Sequence, residues 1–237
     1  MAKRSKEAAQ ETRTRLLDSA ETLFALHGVS HTTLADIADA ASLTRGAIYG
    51  HFRNKADLLE ALLERTRLPL EELIGASIDP QAQAPLAAMQ RAILVCLRDA
   101  QCDARRRRVA EIVFNRCELV DDMAPVASRM REYARDGLEN LERGLSNAKH
   151  RKQLAPTLDV RLAAALLHAQ VSGLIRDNLL MPQHVDFVRD GAAMVAAMFE
   201  MLQHVPALHH APPRASDQRT RAPRQSELRA SSTNAPR

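Results

Sequence analysis

At 237 residues, 46% of them hydrophobic, the chain is long enough to bury a sizeable core, and its 3% aromatic content, lack of Trp and wealth of Ala and Leu favour helices over sheet. The formal net charge of +4 sits beyond Pro206, where six Arg face only Asp217 and Glu227, so overall charge is a poor pointer to a polyanion partner. Cys96, Cys102 and Cys117 without CxxC spacing, an N-terminus lacking an apolar leader, and no run of about 18 uncharged apolar residues predict a reduced, cytoplasmic protein that neither enters nor crosses a membrane.

A first helix is predicted from about Ala8 to His27, because Leu16, Leu17, Ala20, Leu23 and Phe24 recur on one face, and Gly28 follows as its stop signal. Thr33 and Asp36 form a capping-box pattern that opens a second helix over Leu34 to Ala41. Ser42 and Leu43 make a turn, and Thr44 caps a third helix reaching His51 or Phe52. Two short helices joined by such a turn and packed on a longer one make a helix-turn-helix. One helix is expected from Lys55 to about Ser77, then others over Leu86 to Ala100, Ala104 to Leu119 and Ala124 to His150. Val160 to Met181 and His184 to His204, split by Pro182, read as an antiparallel pair that is apolar over more than one stripe, as a homodimer interface requires. From Pro206 to Arg237 the Pro, Ser, Ala and Arg content predicts a disordered tail, whose arginines either solubilise the protein or add nonspecific DNA affinity. The fold class is therefore all-α: a three-helix DNA-binding domain over residues 1–54, a larger helical ligand-binding and dimerisation domain over 55–205, and the tail.

Within the third helix Ile48 and Phe52 lie four apart and face inward, leaving Arg45, Gly46, Ala47, Tyr49 and Gly50 outward. Thr44 and Arg45 at its start can reach base edges or phosphates, with Arg45 the candidate guanine reader; Tyr49 and His51 can donate to phosphate, and small Gly46 and Ala47 permit close approach. Thr33 and Lys55 each begin a flanking helix, where N–H groups and the dipole favour phosphate. Gly50 either eases the helix end or lets the backbone approach a phosphate.

The stretch "TTLADIADAASLTRGAIYGHFRNKADLLEAL" resembles the N-terminal signature of the TetR family of bacterial repressors, and "RGAIYGHFRNK" is most similar to its AcrR-type group, which controls multidrug efflux pumps. A weaker likeness continues through "RRRRVAEIVFNRCELVDDM" and "VSGLIRDNLL". The resemblance implies a homodimeric repressor of a pseudo-palindromic operator in an efflux-pump promoter, released by a small amphipathic or aromatic effector, with the DNA-contacting roles given above. The alternative is a TetR-like regulator sensing a metabolite such as an acyl thioester or aromatic acid. Two positions depart from the family pattern. Ser42 stands where glycine is common, so a left-handed backbone there would be strained by about 1 kcal/mol; Gly50 stands where a large side chain is usual.

In the second domain His168, Ser172 and Arg176 share one helical face, which either orients a ligand or turns to solvent or a partner. Met89, Ile93, Val113, Phe114 and Met130 read either as core or as flexible pocket walls. The Arg105 to Arg108 run opens a helix, where four cations invite acids such as Asp99, Asp103 or Glu111. No nucleophile with a neighbouring base, no glycine-rich phosphate loop and no metal-ligand spacing occurs, so neither an enzyme nor a cofactor is expected.

Overall fold

The computed structural model describes residues 2–66, 70–119 and 121–209; among them the regular structure is helical, apart from one isolated bridge between Leu158 and His209. In chain order the helices are α1 (Ala2–His27), α2 (Leu34–Ala40), α3 (Arg45–Tyr49), α4 (Lys55–Thr66), α5 (Leu70–Ile78), α6 (Pro85–Cys102), α7 (Ala104–Asn115), α8 (Ala124–His150), α9 (Val160–Leu180) and α10 (Gly191–His204).

The local signals act as expected near the N-terminus. Leu16, Leu17, Ala20 and Phe24 of α1 are fully enclosed, and Gly28 ends the helix at φ +81 while donating its N–H to Phe24 O at 3.0 Å. Onto that face pack Leu34, Ile37 and Ala38 of α2, Ile48 of α3, Phe52, and Ala56, Leu58, Leu59 and Leu62 of α4. The same core takes in Val109, Ile112 and Val113 of α7, and Met123 and Val126 at the start of α8. The boundary expected at residue 54 does not divide the packing, since the first core draws on helices from both sides of it.

A second core gathers Met89, Ile93 and Leu97 of α6, Leu141 and Leu145 of α8, Leu167 of α9, and Val195, Phe199 and Leu202 of α10. Three expectations need correction. The segment from Lys55 to Ser77 forms two helices, α4 ending at Thr66 and α5 beginning at Leu70, with Pro69 between them outside the described residues. The last helix is shorter than expected: α9 lies on α8 and α6 and α10 on α6, the two share the second core, and Gln170 of α9 donates to Met201 Sδ of α10 at 4.0 Å. The start of α10 is delayed to Gly191 because residues before it are pinned to α6, where Gln101 donates to Asp186 Oδ1 at 3.1 Å and accepts from the Phe187 N–H, with Phe187 buried. Finally, order extends past Pro206: Pro206–Leu208 makes a 3-10 turn, Leu208 is buried, and its carbonyl accepts from Asp159 N at 2.8 Å. The disorder expected of 210–237 concerns residues outside those described.

Candidate nucleic-acid interface and ligand cavity

The recognition element is built by caps. Thr33 opens α2, accepting from Asp36 N at 3.2 Å while Asp36 Oδ2 accepts from Thr33 N at 2.9 Å, a reciprocal capping box. The Thr33 hydroxyl, donating to Asp36 Oδ2 at 2.7 Å, and then the Thr33 N–H hold the Asp36 carboxyl below the ordinary carboxylate range. The second helix closes with a Schellman turn, in which Leu43 N donates to Ala38 O and Ser42 N to Asp39 O, both at 2.9 Å, with Ser42 left-handed at φ 54. Thr44 then caps α3 through Ala47 N at 3.2 Å. Buried Ile48 and Phe52 anchor the five-residue helix, and Thr44, Arg45, Gly46 and Tyr49 stand exposed, Tyr49 by 61%. An exposed polar face fixed by two buried anchors has the form of a groove-reading helix.

Four positions differ in detail from the sequence reading. Ala47 is half-buried, at the edge of the outward face. His51 is half-buried too, its ring 6.3 Å from that of Phe52. The Lys55 ammonium turns back to the turn after α1, donating to Val29 O at 2.7 Å and Ser30 O at 3.4 Å, so this cation braces the helix-turn-helix. Gly50 has φ −72 and ψ −18, an ordinary right-handed helix end, so no left-handed cap calls for glycine there.

The second domain holds a cavity of about 730 Å³ between α4, α5, α6, α7, α8 and α9. Leu63 and Thr66 of α4 and Ile78 of α5 close one side, with Cys96 and Ala100 of α6. The wall of α7 is Arg106, Arg107, Val109, Ala110, Val113 and Phe114; α8 supplies Met130, Tyr133, Asp136, Gly137, Glu139, Asn140 and Arg143, and α9 Ile175 and Leu179. An apolar lining with a few convergent polar groups is the usual make-up of a small-molecule site. Burial pushes the Cys96 thiol up to about 11, with Asp99 adding to the shift, so it lines the wall as a neutral group.

Of the residues expected to hold a ligand, Phe114 lies in the wall. Met89 and Ile93 belong to the second core, because α6 turns that face toward α8 and α10. His168, Ser172 and Arg176 are not lining residues: the His168 ring lies beside Gly137, Ser172 is exposed, and the Arg176 guanidinium stands 5.6 Å from the ring centre of Phe114, which does line the cavity. Val113 and Met130, read as core or wall, line the cavity. Apart from Met130, sequence reasoning missed the α8 wall; its signal was the clustering of Tyr133, Asn140 and Arg143 at helical spacing on one side of that helix.

The arginine run of α7 splits between two tasks. Asp103 caps the helix and, with Asp99, pairs Arg106 at 3.4 and 2.6 Å, while Glu111 instead faces Arg116 at 4.0 Å. Arg105 and Arg108 cross to α1, where the Glu21 carboxylate, 3% exposed, receives Arg65 at 2.6 Å, Arg108 at 3.0 Å and Arg105 at 3.5 Å. Asp18 completes the cluster with Arg65 at 2.7 Å and Arg105 at 3.2 Å.

Among the described residues no helix is long and apolar enough to cross a membrane, and no three His, Cys, Asp or Glu side chains are grouped to hold a metal ion.

Comparison with known proteins agrees with this geometry. Residues 16–62 match the family described as bacterial regulatory proteins, tetR family, and residues 84–204 match the C-terminal region of MAATS-type transcriptional repressors. The chain is 41% identical over 208 residues to the HTH-type transcriptional regulator TtgR of Pseudomonas putida, covering 88% of this chain and 99% of TtgR. It is similar to the crystal structure of NalD, the secondary repressor of the MexAB-OprM multidrug efflux pump in Pseudomonas aeruginosa, with a TM-score of 0.74 and 34% identity over 82% of this chain and 96% of that one. It is also similar to a complex of SmeT, the repressor of the Stenotrophomonas maltophilia SmeDEF efflux pump, with triclosan, at a TM-score of 0.72 and 32% identity over 80% of this chain and 90% of that one.

Proposed function

Because this chain belongs to the TetR family of bacterial regulators, we propose that it is a cytoplasmic, ligand-released repressor, binding a pseudo-palindromic operator as a homodimer and controlling a multidrug efflux pump operon. The observation that carries this reading is the coexistence of an exposed, capped recognition helix and an apolar cavity whose α4 and α7 walls belong to the recognition helix's own core. The efflux target is supported by the names that NalD and SmeT carry, and an amphipathic or aromatic effector by the triclosan bound to SmeT.

Two copies related by a twofold axis place their α3 helices in successive major grooves. Thr44, Arg45, Gly46, Ala47, Tyr49 and His51 face the DNA; Arg45 reads a base edge, and the N–H groups that open α2 just after Thr33, whose own N–H is bonded to Asp36, and those at Lys55 meet phosphates. The exposed faces of α9 and α10, including Leu162, Ala193, Ala196 and Ala197, suit the dimer contact. A ligand in the cavity favours a state with the two recognition helices wrongly spaced, by as much free energy as it discriminates between states.

The test is fluorescence anisotropy on DNA from upstream of the protein's own gene, with and without triclosan. Specific binding that falls as triclosan is added is expected; binding no tighter than to random DNA would sink the regulator, and binding that no amphipathic compound weakens would sink the sensing.

A further inference from the structure

The Glu21 cluster lies outside both the recognition face and the cavity, yet it touches the helices that connect them. Its carboxylate hangs from α1 in the middle of the stretch that builds the first core, between Leu17 and Phe24. Two of its three cations, Arg105 and Arg108, come from α7, and the residues between them, Arg106 and Arg107, line the cavity. Different faces of a single turn of one helix therefore line the ligand space and grip the DNA-binding part.

Among the described residues the charges in the cluster are unequal: Arg65, Arg105 and Arg108 stand against Asp18 and Glu21. Arg65 alone, with its guanidinium 2.6 Å from Glu21 and 2.7 Å from Asp18, can neutralise the buried carboxylate. Arg105 and Arg108 are about half exposed, at 51% and 48%, so they can leave for water with little desolvation to recover. A buried acid that keeps one partner while shedding two others is a contact with two discrete arrangements, the kind of element that turns a small displacement into a switch.

We propose that the Glu21 carboxylate is the joint through which cavity occupancy reaches the recognition helix: Arg105 and Arg108 hold α1 to α7 in the operator-binding register, and a ligand that displaces α7 releases them while Arg65 stays with Glu21. The proposal rests on the regulator reading and adds the regulation of its site.

The test is a double-mutant cycle on operator affinity, using Arg105→Gln with Arg108→Gln on one side and Ala110→Trp, which places a fixed occupant in the cavity, on the other. Glu21 is left in place, because removing it would take from half-buried Arg65 its nearer carboxylate and leave only Asp18. Each change alone is expected to weaken operator binding about tenfold, and the two together also about tenfold instead of about a hundredfold, since both act through one release. Triclosan in place of the tryptophan should reach the same ceiling. Affinity for random DNA, which does not depend on helix spacing, should stay within about twofold, as a merely unfolded variant would not allow. Additive losses, or arginine variants that bind operator normally, overturn the joint and leave the regulator standing. Failure of the unsubstituted protein to prefer its upstream DNA overturns both.

Discussion

Replacing Ser42 with Gly should stabilise the protein, although it removes a side chain from the helix-turn-helix. Ser42 is held at φ 54, and both hydrogen bonds of its turn, Ser42 N to Asp39 O and Leu43 N to Ala38 O at 2.9 Å, are backbone bonds that survive the change. Its side chain is exposed, so no buried group loses a partner. A left-handed non-glycine residue costs about 1–2 kcal/mol. Against that relief stands the entropy glycine adds to the unfolded chain, about 0.4–1 kcal/mol. The net gain is about 0.5–1 kcal/mol, or roughly 1–4 °C in Tm for a chain of this size. Urea unfolding followed by far-UV circular dichroism should show the midpoint rising with an unchanged slope. Lys152, at φ 58 after α8 with Gln153 N bonded to Ala148 O at 2.9 Å, repeats the geometry in the other core, so Lys152→Gly should gain similarly. Midpoints that fall or stay put for both variants would refute the strain argument.

Three further outcomes are expected. At Gly50 an added Cβ would meet Ala47 O and Gly46 O at 3.4 Å in a right-handed backbone, so Gly50→Ala should raise stability by up to about 1 kcal/mol; weaker operator binding in the same variant, measured by anisotropy, would show that the DNA backbone comes close there. Arg45→Ala should cost about 1–3 kcal/mol of operator affinity and relax base preference, whereas Lys55→Ala should lower the melting temperature more than the salt slope of DNA binding, because its ammonium is bonded to Val29 O. The Cys96 thiol, pushed up to about 11, should alkylate slowly at pH 8, where about one part in a thousand is ionised; its rate should rise tenfold per pH unit toward pH 10 and fall when triclosan fills the cavity, while exposed Cys102 reacts first.

What the sequence made legible was what is encoded within a few residues. The Thr33 and Asp36 capping box, the Thr44 cap, the Gly28 stop and the inward Ile48 and Phe52 all depend on partners four residues away or fewer, where helical geometry alone dictates who meets whom. The left-handed turn at Ser42 was legible only through the resemblance, because the family pattern has glycine at that position. Misreadings arose where a side chain's partner is remote. Lys55, read as a phosphate contact at a helix start, binds a carbonyl 26 residues away, and Glu21, which no local pattern singles out, meets Arg108 across 87 residues. Met89 and Ile93 were equally apt for core or cavity, and only the orientation of α6 between α8 and α10 decided it.

The way α7 is shared also constrains how a ligand can act. A loose hinge between residues 54 and 55 would let the DNA-binding part drift independently of the cavity, but α4 begins there with Lys55 tied to the turn after α1 and continues with Leu58, Leu59 and Leu62 buried in the first core. Helices α1 to α4 must therefore move together. Val109 and Val113 of α7 belong to that core and to the cavity wall at once, so a ligand that presses on them displaces the same helix that carries Arg105 and Arg108 to Glu21. Close-packed interiors yield by shifting whole elements rather than by local compression. The predicted motion is thus a rigid tilt of the helix-turn-helix about α7, and amide exchange should show α1 to α3 equally protected with and without triclosan; ligand-induced loss of protection inside α2 or α3 would mean that release works by local unfolding instead.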